Sequence, residues 1–188
     1  MALTKIPYKT LKSLLNKRKL FTREDEDAET QRLFVEFKKA KKRGYLKKSE
    51  LEEICYWKSP RAIHLIRSNH EDKIKSKTSQ AFKTRSERQK LNLLTSLKGV
   101  SIPMASSILM LTDPKRYGVI DIRVWQLLFR LGTVNTNPEG KNFGFNEWYR
   151  FLMIIRYFAK KFKVRARDIE RILFDAHSDY QKGRLYES

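Results

Sequence analysis

The chain has 188 residues with a formal net charge of +20, from 41 Lys or Arg residues against 21 Asp or Glu residues. Hydrophobic residues make up 40% and aromatic residues 12%, which excludes a disordered chain and suffices for one domain with a substantial core. So large a positive charge favours a polyanionic partner, most commonly nucleic acid. The only cysteine, Cys55, excludes a disulfide or cysteine-ligated metal framework within one chain and is typical of a small buried residue.

Helical periodicity recurs along the whole chain, and no strand-like alternation of period 2 stands out. We therefore expect an all-α fold, a compact multi-helix domain spanning residues 1–188 that acts as a monomer. The sequence contains neither a secretory leader nor a long apolar span. We expect an intracellular protein, in the cytoplasm or nucleoid of a prokaryote or the nucleus of a eukaryote, without a membrane partner.

The first part of the chain predicts a basic, helical periphery. Residues 1–20 mix apolar residues with a basic cluster and predict a short helix or an N-terminal arm laid on the domain. An acidic segment, residues 22–29, should open the next helix, which we expect to stop at Gly44. The basic run at residues 38–43 fits a solvated helix end and a DNA contact equally well.

One further segment provides candidates for contacts with a base. A capping box is expected to start at Ser49, and the helix behind it leads into YWKSPR at residues 56–61. Aromatic and basic residues together suit a stacked base and its phosphate, so Tyr56 and Trp57 are candidates for a base pocket or wedge. For Trp57 a place in the core is the favoured alternative.

The C-terminal part of the chain should supply core helices. Residues 133–146, rich in Asn, Gly and Pro, predict the longest loop. Asn146 is expected to cap a strongly apolar helix, and residues 169–177 predict the last helix.

Residues 91–132 organise the rest of the chain. Leu91, Leu94 and Leu97 repeat at helical spacing up to Gly99, which can take the positive φ of a helix-ending turn. Ser101 can then cap a second helix, and Asp121 precedes a third helix that closes at Gly132. A turn of this kind exposes backbone N–H groups beside a helix N-terminus, and such groups bind one DNA phosphate without reading sequence.

The segment LTSLKGVSIPMASSIL, with an aspartate 22 positions after Gly99, resembles the helix-hairpin-helix of the endonuclease-III-like DNA glycosylase superfamily. That superfamily has a hairpin of the form L-x-G-V-G and a catalytic aspartate about two turns and a loop downstream. The resemblance implies an all-α domain without a cofactor that grips duplex DNA and acts on a flipped base. It assigns catalysis to Asp121 and phosphate contacts to the hairpin residues Gly99, Val100 and Ser101. Two basic residues are further candidates for phosphate contacts because of their positions, Lys98 just before the turn and Arg123 two residues after Asp121.

Three departures from the family pattern shape the expected chemistry. Ser101 replaces the third hairpin residue, which is glycine in the family. Pro103 stands where lyase-active members carry a Schiff-base lysine, and the chain lacks the four cysteines of an iron–sulfur cluster. The resemblance then implies a monofunctional, water-using base excision in which Asp121 stabilises the sugar cation and orients water.

Several readings remain open beside this one. Asp121 could be a plain N-cap, Arg123 a surface arginine, and Trp125 a core residue rather than part of a base pocket. The whole chain could be a non-catalytic helix-hairpin-helix DNA-binding protein, or an interaction module that binds RNA or an acidic protein. No metal ligands occur at the spacing of a metal site.

Overall fold

The protein is all-α. A computed structural model describes residues 8–180, which form ten α-helices with no strand among them. The predicted fold class is thus confirmed. The helices are α1 Leu11–Lys17, α2 Ala28–Arg43, α3 Lys48–Lys58, α4 Ile63–Arg67, α5 Glu71–Lys83, α6 Glu87–Thr95, α7 Ile102–Thr112, α8 Ile122–Arg130, α9 Phe145–Phe162 and α10 Ala166–Ser178; short 3-10 helices occupy Arg23–Asp25 and Pro60–Ala62.

Helix α7 forms the centre of the fold. Its residues from Met104 to Thr112 are all buried, and it packs against α2, α3 and α6. A helix that is apolar on every side must be surrounded by others. The C-terminal helices form a second group, in which α10 packs against α8 and α9. The start of α8 lies between this group and the group around α7.

The buried apolar residues between Leu11 and Ala176 form one continuous cluster. Of the expected N-terminal arm, residues 1–7 lie outside the described residues. The following residues fold as α1, and its Leu11, Leu14 and Leu15 are buried. That segment is therefore part of the core. Cys55 is fully buried, as the sequence predicts.

Two predicted helix starts are wrong. Ser49 and Asn146 lie inside α3 and α9 instead of capping them. In each helix a glutamate accepts a hydrogen bond from the backbone N–H three residues earlier, Glu50 at 2.7 Å and Glu147 at 3.0 Å. This carboxylate half of the capping box fixes the start without a capping hydroxyl or amide.

The predicted end of α2 is confirmed. Gly44 ends α2 with φ +93°. Farther along the chain, Ser86 caps α6 by accepting from the N–H of Gln89 at 3.2 Å. The acidic segment does not open α2 directly. It forms the 3-10 helix Arg23–Asp25, and Asp27 caps α2 by accepting from the N–H of Thr30 at 2.8 Å.

Candidate functional site

A cleft of about 800 Å³ opens where five parts of the fold meet. They are the end of α3 with the 3-10 helix behind it, the turn between α6 and α7, the start of α8, the loop before α9, and α10. Three basic side chains and one carboxylate line it, which gives its walls a positive balance. These charged residues are Lys58, Arg61, Arg123 and Asp121.

The turn between α6 and α7 takes the conformation expected from its glycine. Gly99 has φ +80°, and a Cβ at this position would meet Leu65 Cβ at 2.9 Å. Only glycine therefore fits, because of both the backbone conformation and the close approach of α4. Ser101 caps α7 by accepting from the N–H of Met104 at 3.4 Å.

Not every amide of this turn is free to bind a ligand. The N–H of Lys98 donates to Asn69 Oδ1 at 2.9 Å, and the N–H of Val100 donates to the carbonyl of Leu97 at 3.2 Å. Within residues 8–180 the N–H groups of Gly99 and Ser101 have no acceptor, and both residues line the cleft. These two amides, beside the N-terminus of α7, are hydrogen-bond donors of the kind to which an anion can bind.

Asp121 caps α8 and faces the same cleft. Its Oδ1 accepts from the N–H of Val124 at 3.1 Å, so the predicted N-cap role is confirmed. Its other oxygen, Oδ2, lies 3.7 Å from Nζ of Lys58, and about 20% of each of these side chains is exposed. One carboxylate oxygen is thus held by the helix, and the other is available beside a cation.

Comparison of the chain with protein-family models, with curated proteins and with solved structures gives no match.

Lys58 is the functional candidate that sequence reasoning missed. It belongs to the basic and aromatic segment at residues 56–61, where it reads as an ordinary basic helix end. Its proximity to Asp121 comes from the packing of α3 on α7. Phe143 and Phe174 were missed as well, and both line the cleft. The two rings add apolar surface to the cleft, and the guanidinium groups of Arg123 and Arg171 lie 5.1 and 5.2 Å from the ring centre of Phe174.

The other predicted site residues are distributed among the cleft, the exposed surface and the core. Arg123 lines the cleft with its guanidinium 5.1 Å from the ring centre of Phe174. Lys98 is exposed beside the turn, outside the lining of the cleft, and Val100 is buried. The Lys98 ammonium can therefore contact a phosphate at the turn amides only if its flexible side chain extends towards the cleft.

The three aromatic candidates for a base pocket or wedge lie outside the lining of the cleft. Trp125 is buried and donates from Nε1 to the carbonyl of Asn137 at 2.9 Å, which fits the core alternative. Trp57 donates to Thr30 Oγ1 at 3.0 Å. Tyr56 is exposed, and its hydroxyl accepts from Arg67 at 2.9 Å.

A buried ion network supports the loop that carries Asp121. Arg167 donates to Glu26 at 3.0 Å and also bonds Glu170, and all three side chains are buried. Glu170 also accepts from the N–H of Val119 at 3.4 Å. The network thereby connects α10 and the segment before α2 to the backbone two residues before Asp121.

Burial and the neighbouring charges shift the pKa values of this network. Burial raises the pKa of Glu170, and the carboxylate of Asp121 adds to the increase, while Arg167 opposes it. Burial acts to lower the pKa of Arg167, but Glu170 and Glu26 outweigh it, so that pKa is raised. His177 is also buried near Asp121 and Arg123, and desolvation lowers its pKa to about 4. His177 is therefore neutral at physiological pH.

Among residues 8–180 there is no group of three His, Cys, Asp or Glu side chains that could hold a metal ion. None of the described helices combines the length and the apolar character that a membrane crossing requires.

Taken together, the groups that line the cleft are two free amides, one carboxylate, three cations and two aromatic rings.

Proposed function

We propose that the protein is a monofunctional DNA glycosylase that removes a damaged, modified or mismatched base. The observation that supports this most directly is that the Asp121 carboxylate and the free amides of Gly99 and Ser101 line one cleft. A phosphate bound at the amides would bring the adjoining sugar into the cleft that the Asp121 side chain lines. The family resemblance of residues 91–132 supports the same assignment.

The chemistry follows from the charge that develops when an N-glycosidic bond breaks. Positive charge builds on the sugar, and a carboxylate beside it lowers the barrier and can orient the attacking water. Asp121 has one oxygen bound to the N–H of Val124, which holds the carboxylate at the start of α8. The flipped base would lie against Phe143 and Phe174, where stacking offsets part of the few kcal/mol needed to remove it from the duplex.

The decisive variant is Asp121→Asn. Asparagine is as good an N-cap as aspartate, so folding and DNA binding should persist while the single-turnover excision rate falls by about 100-fold or more. Duplexes carrying oxidised, alkylated, deaminated or otherwise modified bases are incubated with protein and then heated in alkali to reveal abasic sites. Asp72→Asn is a matched control, because Asp72 is an exposed aspartate in the first turn of another helix, α5, and lies outside the lining of the cleft.

Three outcomes would contradict the proposal. Excision by Asp121→Asn at the wild-type rate would remove the aspartate from the mechanism. Duplex binding without an abasic site on any base would favour the non-catalytic DNA-binding protein. Preferential binding of single-stranded RNA over duplex DNA would favour the interaction module instead.

The position of Lys58 favours a second candidate function, in which base excision is coupled to cleavage of the DNA strand. Its Nζ is 3.7 Å from Asp121 Oδ2, so an amine lies beside the carboxylate although the hairpin position holds Pro103. The amine would attack C1′ of an opened abasic sugar, water would leave as the imine forms, and loss of a C2′ proton would break the C3′–O3′ bond.

A duplex with a preformed abasic site tests this step without knowledge of the base. Borohydride should trap wild-type protein on that DNA, and Lys58→Gln should abolish the adduct while Lys98→Gln retains it. Absence of an adduct with wild-type protein, together with abasic products that need alkali for cleavage, supports the monofunctional reaction.

A further inference from the structure

A second concentration of positive charge lies away from the cleft. Two adjoining depressions of about 480 and 350 Å³ share Arg116. Among their lining residues the only carboxylate is Asp113, which pairs with Lys41 at 2.5 Å. We call the nine basic residues that line them the basic surface; they are Lys41, Lys83, Arg85, Lys90, Lys115, Arg116, Arg156, Lys160 and Lys163.

The basic surface and the cleft are at opposite ends of α7. Ser101 and Pro103, at the start of α7, line the cleft, whereas Thr112 and Asp113, at its end, line the basic surface. Eleven residues of α-helix separate these ends, a rise of about 16 Å. A ligand on the basic surface is therefore separate from one held by the Gly99 turn.

Internal ion pairs leave this charge largely uncompensated. Behind the surface, Glu87 accepts from Arg116 at 3.3 Å and from Arg156 at 2.8 Å, so one carboxylate serves two guanidinium groups. Lys90 is only 7% exposed, and its ammonium donates to the neutral carbonyls of Ala81 and Thr84. Burial lowers the pKa of Lys90, and nearby cations including Arg116 act in the same direction. A bound anion would relieve this repulsion.

Helix dipoles account for part of the cluster. They favour Lys41, Lys83 and Lys160, which lie in the last turns of α2, α5 and α9, where cations meet the negative end of a helix. Arg85, by contrast, comes just before the N-terminus of α6, where a cation is disfavoured. The basic surface is therefore positive because several helix ends converge on it, and Arg85 adds charge that no helix dipole favours.

We propose that the basic surface binds a second segment of nucleic acid, so that the protein bridges two stretches of duplex. Phosphodiester backbones supply closely spaced negative charge, whereas protein interfaces are depleted in lysine and membrane anchors need exposed apolar side chains. This goes beyond base excision, because it requires duplex binding at the Gly99 turn but not the carboxylate of Asp121.

A capture assay tests the bridge with the full chain. A biotinylated duplex on beads is saturated with protein, and retention of a second, fluorescent duplex is measured across a salt series. The test variant is K115Q/K160Q/K163Q, and the control is K12Q/K47Q/K73Q. All six lysines are exposed, and the control removes the same charge outside both sites. Both variants should keep the wild-type melting temperature.

Wild type and the control should retain the second duplex, and the test variant should do so about tenfold more weakly or worse. Its log–log salt slope for the second duplex should fall by about 3, or 0.9 for each lost phosphate contact. Asp121→Asn should capture like wild type, so a failure of excision does not affect this test.

Three results would overturn the inference. One is equal capture by the test and control variants. Another is a wild-type protein that binds one duplex but never a second. The last is selective loss of binding to anionic vesicles or to an acidic peptide by the test variant while duplex capture is unchanged.

Discussion

Replacement of Gly99 by alanine should destabilise the protein through two separable effects. The first is conformational, because a residue with a Cβ at φ +80° costs about 1–2 kcal/mol. The second is steric, because the new Cβ would approach Leu65 Cβ to 2.9 Å and the carbonyl oxygen of Ala62 to 3.1 Å. Neither neighbour is the free end of a flexible side chain, so the backbone of α4 must move, at a cost of about 1–3 kcal/mol.

Gly132 provides the control for this substitution. It has φ +64°, but a Cβ there would meet no atom within 4 Å. Gly132→Ala therefore carries only the conformational cost. Alanine also lowers the conformational entropy of the unfolded chain, but this effect is the same in both variants and cancels in their difference. The difference isolates the steric contribution, which we expect to be about 2 kcal/mol, or about 6 °C in melting temperature for a chain of this size.

Urea unfolding followed by far-UV circular dichroism gives both free energies of unfolding, and thermal melts give the temperatures. Equal m-values would show that the comparison is between similar unfolded states. If Gly99→Ala is no less stable than Gly132→Ala, the close packing of α4 on the turn is not the constraint that we describe. The φ angle of residue 99 alone would then explain why glycine occupies this position.

Two further predictions concern buried charge. Arg167→Ala leaves Glu26 and Glu170 buried without their cation and should cost about 3–5 kcal/mol, measured by the urea midpoint; a loss below about 1 kcal/mol would mean that solvent reaches the site. The pKa of His177 is about 4 in the folded state, below its value of about 6.5 in the unfolded chain. Neutral His177 therefore contributes fully to the free energy of unfolding above about pH 6.5, and this contribution falls by about 3 kcal/mol as the pH drops towards 4. His177→Gln should remove that part of the pH dependence of unfolding, and an unchanged difference between pH 4 and 7 would refute the assignment.

Local signals in the sequence predicted the parts of the site that depend on backbone geometry. The positive φ of Gly99 and the capping bonds of Ser101 and Asp121 follow from residue types that favour those conformations. Helix starts at Ser49 and Asn146 were mispredicted, since a glutamate three residues after the true cap can define a start as well as a hydroxyl or amide does.

Long-range packing determined what could not be predicted. The Lys58 ammonium meets Asp121 because α3 packs on α7, and no pattern near either residue records that contact. Phe174 reaches the cleft because α10 packs against α8. The apolar periodicity of α10 predicts a buried face but not which ring borders an opening. A cleft formed by distant segments is therefore less predictable than the turn within it.

The bond between Glu26 and Arg167 joins residues 141 positions apart. During ribosomal synthesis, α6 and α7 can form from neighbouring residues, but Glu26 finds its partner only after α10 has been made. The backbone before Asp121 depends on the same network, so it should be among the last regions to acquire its final shape. A nascent chain stalled before α10 would then contain the Gly99 turn but a loosely held aspartate.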